Sequence, residues 1–254
     1  MNGTVLEVLG LSKRFGTHVV LSDVSFTLGQ KEILGIIGPS GGGKTTLLRC
    51  LNFLEVPDGG RVEYPGVMEW DARREGGAED KDMVNLRRHV GMVFQGFNLW
   101  ESRTVVENLT LAPVVVRGMT AKAAQELARD LCRQFGLEDK LLRSAVTLSG
   151  GEKQRVAIIR ALMMQPFVML LDEITSALDP VLTVEVMGAI RKLRERGLAM
   201  IIVTHHLDFA SSLCDRLMFL HEGRILQLGP PISLQEEPAS PKVRQFVEVL
   251  RRAR

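Results

Sequence analysis

The stretch Ile33-Leu34-Gly35-Ile36-Ile37-Gly38-Pro39-Ser40-Gly41-Gly42-Gly43-Lys44-Thr45-Thr46 decides the fold. Its first five residues are an apolar run without alternation, which predicts a strand buried on both faces. The next segment matches G-x-x-x-x-G-K-[ST], and residues 45–54 are apolar and free of Gly and Pro, which predicts a helix. Strand, glycine loop and helix in this order make a phosphate loop. Glycines let consecutive backbone N–H groups turn inward around a phosphate, and the helix N-terminus adds partial positive charge. Lys44 then serves the β and γ phosphates, and the Thr45 hydroxyl is a Mg²⁺ ligand. The candidate nucleotide-binding residues are Gly38, Pro39, Ser40, Gly41, Gly42, Gly43, Lys44, Thr45 and Thr46, and the ligand class is a nucleoside triphosphate.

Outward from this loop, buried strands alternate with helices. Apolar runs at 167–171 and 198–203 predict two more buried strands, and residues 216–220 and 225–228 flank Glu222-Gly223 as a hairpin. Helices are expected over 120–136, where Thr120 is the N-cap and Gly136 the stop, over about 151–164, and over 180–196 after Asp179. Short Val- and Leu-rich runs at 5–9, 19–21 and 24–28 predict N-terminal strands, and 57–82 reads as surface loops with a short strand or two. The expectation is an α/β fold, a phosphate-loop core with a mostly parallel sheet, an N-terminal antiparallel β part and a helical insertion over about 97–164, all within one domain spanning 1–254.

Composition narrows the function. The 254 residues carry 32 Lys and Arg against 30 Asp and Glu, a net charge of +2, so no whole-protein field gathers nucleic acid. The longest fully apolar run, 198–203, falls far short of the ~20 residues a membrane helix needs, and no signal peptide is evident. A soluble intracellular protein is expected. Cys50, Cys132 and Cys214 are far apart, without C-x-x-C spacing, which argues against a disulfide framework or a zinc site.

The strand at 167–171 runs into Asp172-Glu173. Two adjacent carboxylates repel, so a cation or a bound water is expected at that strand end. Beside a phosphate loop, Asp172 suits Mg²⁺ and Glu173 suits polarisation of the attacking water. A second Gly-containing turn, Leu148-Ser149-Gly150-Gly151-Glu152-Lys153-Gln154-Arg155, opens another helix, with Ser149 as its cap.

This octapeptide, lying between the phosphate loop and the double acid, resembles the signature sequence of the ATP-binding-cassette (ABC) ATPases. Val93-Phe94-Gln95 resembles the family's Q-loop, Ser176-Ala177-Leu178-Asp179 its D-loop, and Thr204-His205 its switch histidine. Phe15 stands where the family places an aromatic that stacks on adenine. The resemblance implies ATP and Mg²⁺ as ligands and Glu173, His205, Gln95 and Lys44 as catalytic residues. Phe15, Ser149, Gly150, Gly151, Glu152 and Asp179 join the phosphate loop in holding nucleotide, and Thr45, Gln95 and Asp172 hold the metal. It also implies a head-to-tail homodimer in the ATP state, transmembrane permease subunits, indirectly a solute-binding protein, and a place on the inner face of the cell membrane.

Phe97-Asn98-Leu99-Trp100, residues 104–108 and Asp208-Phe209-Ala210 resemble the ATPase subunits of polar amino-acid importers. An ABC ATPase of an export, lipoprotein-release or cell-division complex is the alternative. The chain departs from the family pattern at Ile174, usually proline, at Gly96 and residues 101–103, and at His206, where these importers commonly have glutamate. His205 takes the switch role because it directly follows Thr204.

Overall fold

The computed structural model describes residues 3–74, 80–174 and 180–252. Among the described residues the strands form two sheets. The antiparallel sheet runs in the order β2 (His18–Gly29), β1 (Thr4–Phe15), β4 (Gly59–Tyr64), β5 (Met68–Asp71). The second sheet runs in the order β10 (Arg224–Gly229), β9 (Arg216–His221), β3 (Ile33–Ile37), β8 (Ala199–Val203), β7 (Val168–Asp172), β6 (Val90–Val93). Its pairs are parallel except β9 with β10, which form the expected hairpin.

Strands β3, β7 and β8 are buried at every position, as their unbroken apolar sequences require. Their side chains alternate between two cores. Ile33, Ile37, Leu171 and Ile202 join one core with α3 (Val105–Arg117), α4 (Ala121–Gln134), α5 (Gly150–Leu162) and α6 (Pro180–Glu195). Leu34, Ile36, Leu170 and Ile201 join the other with α1 (Lys44–Leu51) and the antiparallel sheet.

Local signals set the helix ends. Thr120 Oγ1 accepts from Ala123 N, and Gly136 follows α4 at φ +64°. Thr104 and Ser149 cap α3 and α5, each in a reciprocal box with the glutamate three residues on. The run of helices between β6 and β7 falls inside the expected insertion.

Three expectations need correction. The three short N-terminal strands are two long ones, because Gly10 and Asp23, both at positive φ, lie at shifts of the β1–β2 register. Such bulges bend a strand without ending its pairing. Helix α1 stops at Leu51, since Phe53 turns to φ +51° and the Arg49 carbonyl accepts from Leu54 and Glu55. Residues 57–82 contribute core as well as surface: Tyr64 is fully buried, Trp70 packs edge-on against Phe53 at 5.7 Å, and α2 (Asp80–His89) begins within the segment.

The two sheets meet at the β9–β10 turn. Gly223 donates to Gly42 O of the phosphate loop (3.2 Å), while Gly223 O accepts from Ser22 N of β2 (2.9 Å). At φ +73° Gly223 has no room for a side chain: a Cβ would lie 2.2 Å from Val20 O. Gly223→Ala is therefore expected to destabilise the fold by about 2 kcal/mol or more beyond the ~1–2 kcal/mol conformational cost of Gly66→Ala. Gly66 shares the positive φ but faces open space. Urea unfolding of both variants measures the difference, and equal losses would show that the turn absorbs the clash.

Candidate functional site

Four adjacent strands of the parallel sheet deliver the candidate residues to one edge. The phosphate loop follows β3, His205 follows β8, Glu173 follows β7 and Gln95 follows β6, and the spatial order is β3-β8-β7-β6. Because parallel strands all end at the same edge, groups far apart in sequence converge there.

The loop is shaped by positions that exclude side chains. Gly38, at φ +147°, has Leu220 O at 2.0 Å from the place of a Cβ, and Gly43, at φ +95°, has Val20 O at 2.9 Å. Lys44 is buried, and its Nζ donates to Gly38 O (2.9 Å) and Pro39 O (2.8 Å), tying the loop across its own mouth. Burial pushes the Lys44 ammonium pKa down, opposed by the negative charges of Glu173 and Asp172. A cleft of about 450 Å³ opens here, lined by Val20, residues 40–46, Gln95 and Glu173.

Asp172 is buried at the end of β7, and its Oδ1 accepts from Thr45 Oγ1 at 3.2 Å. Burial raises the Asp172 pKa, the hydroxyl of Thr45 pulls it back, and Glu173 raises it further. Among the described residues no group of three or more His, Cys, Asp or Glu side chains gathers to bind a metal. The Thr45–Asp172 pair still fits Mg²⁺, a hard cation commonly held by one or two protein oxygens together with phosphate and water.

Glu173 is the meeting point. Gln95 Nε2 donates to its Oε2 at 2.9 Å, and His205 Nδ1 lies 3.8 Å from its Oε1. The backbone of Glu173 is held at φ +49°, with its N–H on Val203 O (3.0 Å), and the next residue, Ile174, is buried in the core. The His205 and His206 rings lie 4.2 Å apart, and His206 N donates to Thr204 Oγ1 at 3.1 Å. Partial burial, then the neighbouring His205, lowers the His206 pKa, with Glu173 opposing. Of the two histidines, His205 is the one whose ring nitrogen lies 3.8 Å from the Glu173 carboxylate.

The structure thus brings together Lys44, Thr45, Gln95, Asp172, Glu173 and His205. It does not bring Phe15 or the Ser149 turn into the wall of that cleft. Phe15 is 48% exposed at the end of β1, with Lys13 Nζ 5.1 Å from its ring centre. Ser149 and Gly150 are exposed at the start of α5; Ser149 Oγ accepts from Glu152 N (3.3 Å), and Glu152 Oε2 accepts from Ser149 N (2.8 Å). Asp179 and the rest of 176–179 lie outside the described residues.

Two residues to which the sequence alone assigned no role anchor the segment after Gln95. The fully buried Asn108 accepts from Trp100 N (2.9 Å) through Oδ1 and donates to Trp100 O (3.1 Å) and Thr104 O (3.0 Å) through Nδ2. Arg160 donates to the carbonyls of Phe97 and Asn98. An amide four residues after the Thr104 N-cap, in a stretch otherwise rich in Val and Leu, was the available signal for Asn108. Nothing in the sequence marks Arg160 apart from a surface arginine.

Comparison with known proteins identifies the family of the chain. The family described as ABC transporter matches residues 21–176. The arginine transport ATP-binding protein ArtM of Bacillus subtilis is 43% identical, covering 96% of this chain and 99% of its own length. The L-cystine transport system ATP-binding protein TcyN of Escherichia coli is 44% identical over 96% of this chain and 98% of its own. A solved structure of CbiO1 from Clostridium perfringens, part of the ABC transporter complex CbiONQ, superposes with a TM-score of 0.81 at 27% identity, covering 100% of this chain and 98% of that one. With its phosphate loop, paired acids and signature turn in these positions, the chain belongs to the ABC transporter family, as an ATP-binding and ATP-hydrolysing member.

Proposed function

We propose that the chain is the ATPase subunit of an importer of polar amino acids. In this reading 1–254 is one ABC domain with a helical subdomain over about 97–164, acting on the inner face of the membrane beside transmembrane permease subunits fed by a solute-binding protein. The relatives that transport arginine and cystine support the solute class. Among the described residues no helix is long and apolar enough to cross a membrane, which is compatible with separate permease subunits.

The observation that carries the catalytic assignment is the convergence of Gln95 and His205 on Glu173 beside the phosphate loop. Lys44 has three N–H donors, of which two hold loop carbonyls and one is left for a phosphate oxygen. Thr45, Asp172 and Gln95 would hold Mg²⁺, which when bound would supply charge neutralisation at the phosphates. Glu173 accepts a hydrogen bond from the attacking water and draws on its proton, while Gln95 fixes the orientation of that carboxylate. His205 steadies the γ-phosphate. Phe15 stacks on adenine from its exposed position.

The Ser149-Gly150-Gly151 turn, exposed at Ser149 and Gly150, serves with Glu152 and Asp179 the nucleotide of a second copy arranged head to tail. The capping box satisfies the Glu152 N–H, and the N–H groups of Gly150 and Gly151, in the first turn of the helix, have no acceptor within it. A γ-phosphate presented by a facing phosphate loop suits those donors.

Glu173→Gln is expected to keep ATP binding and lower turnover by about 10²–10⁴-fold. It should also accumulate a dimer in ATP, detected by sizing at micromolar protein. A monomer at saturating ATP would count against the shared site. His205→Ala should reduce the ATPase rate more than His206→Ala, and the reverse order would move the switch role to His206. For the solute class, the complex with its permease is reconstituted in vesicles and polar amino acids are screened for stimulation of hydrolysis. Stimulation by none of them, with export or lipid substrates active instead, would replace the importer reading.

A further inference from the structure

The helix that begins at the Ser149 turn ends against the segment that follows Gln95. Helix α5 spans Gly150–Leu162 as one uninterrupted element, so Arg160 sits about 16 Å along the axis from Ser149 on the same rod. Its guanidinium donates through Nη1 to Asn98 O (2.6 Å) and through Nη2 to Phe97 O (3.1 Å), and stacks 5.5 Å from the centre of the Trp100 ring. Such a planar two-pronged donor fixes two carbonyls at once, which a lysine ammonium does less well.

The two carbonyls belong to an unusual piece of backbone. Phe97 and Asn98 both take left-handed conformations, φ +51° and +52°. Asparagine tolerates that region, whereas phenylalanine rarely enters it, so consecutive left-handed residues persist only where the surroundings hold them. The far end of the segment is clamped at Trp100 and Thr104 by the buried amide of Asn108. Gln95, two residues before the first clasped carbonyl, places its Nε2 on Glu173.

We propose that Arg160 is a positioning residue for hydrolysis: it locks the 97–100 turn in the register that sets Gln95 on Glu173, and so links the place of Gln95 to the helix that carries the signature turn. The proposal rests on the reading of Gln95 and Glu173 given above. Arg160 itself touches no reacting atom. Its loss acts on turnover, through Gln95, and leaves the phosphate loop intact.

The test is a double-mutant cycle in the reconstituted complex, with ATP hydrolysis measured across ATP concentrations for wild type, Arg160→Lys, Gln95→Ala and the combination. Arg160→Lys is expected to lower kcat about tenfold with the KM for ATP within about twofold, the size of a lost charge-assisted hydrogen bond. In the Gln95→Ala background the same change should lower kcat no further. An equal fold-loss in both backgrounds would reduce Arg160 to a structural part of α5 and overturn the proposal. Gln95→Ala with full turnover would instead sink the underlying reading of Gln95, a separate outcome. Should Arg160→Lys fail to fold, Arg160→Gln keeps one neutral donor on the same helix and loses the two-pronged grip on Phe97 O and Asn98 O. It is expected to repeat the pattern: a kcat loss alone that vanishes without Gln95. An equal fold-loss from Arg160→Gln with and without Gln95 would overturn the proposal equally.

Discussion

The site depends on a close approach of backbones. Leu220 O occupies the space that a Cβ on Gly38 would fill, and Val20 O crowds both Gly43 and Gly223. Only a backbone without side chains at these positions lets the parallel sheet, the β9–β10 turn and the antiparallel sheet press against the phosphate loop together. That compression holds the loop in one shape, with Lys44 folded onto the carbonyls of Gly38 and Pro39. A loop so constrained spends little ordering entropy when an anion arrives, which is the benefit of preorganisation.

From that fixed loop the rest of the chemistry is a matter of strand order. Residues 44, 95, 173 and 205 are remote in sequence, yet each follows one of four neighbouring parallel strands. Displacing any one strand by a residue would move its terminal group by about 3.3 Å and turn it to the other face. The two apolar cores that fix the register therefore also determine whether Gln95 reaches Glu173. Burial at the strand ends shapes the charges as well. It pushes Lys44 and Asp172 toward their neutral forms, and the opposite charges facing each of them push back. A triphosphate favours the ammonium form of Lys44 and a divalent cation favours the carboxylate form of Asp172, so the two ligands suit this pair best when they arrive together.

Much of this was legible because it is written in short-range patterns. The strand–loop–helix unit around Gly38–Thr46, the unbroken apolar runs that became β3, β7 and β8, and the Thr120 cap of α4 all follow from local periodicity and turn chemistry. The paired acids at 172 and 173 were legible as a charge anomaly at the end of an apolar strand. What escaped depends on partners distant in sequence. Gly10 looks like a strand terminator until β2 is placed beside it and the bulge becomes visible. Tyr64 and Trp70 lie in a stretch rich in Gly, Pro and charge, and their burial comes from packing against α1 and the sheet. Asn108 and Arg160 are ordinary polar residues on helices, and only the carbonyls of a folded-back segment give them a role.

The division of labour between the two surfaces has a mechanical consequence. The groups gathered on Glu173 follow strands that pack on one apolar core. The Ser149 turn stands at the exposed start of a helix packed on that same core and is absent from the cleft wall. If a second copy supplies that turn, hydrolysis becomes conditional on assembly, because donors at a helix start act only on a charge brought within their reach. A switch of this kind needs no deformation of the phosphate loop. It needs a rod that links its own orientation to the glutamine beside Glu173, and α5, with the Ser149 turn at one end and Arg160 on the carbonyls of Phe97 and Asn98 near the other, spans that path.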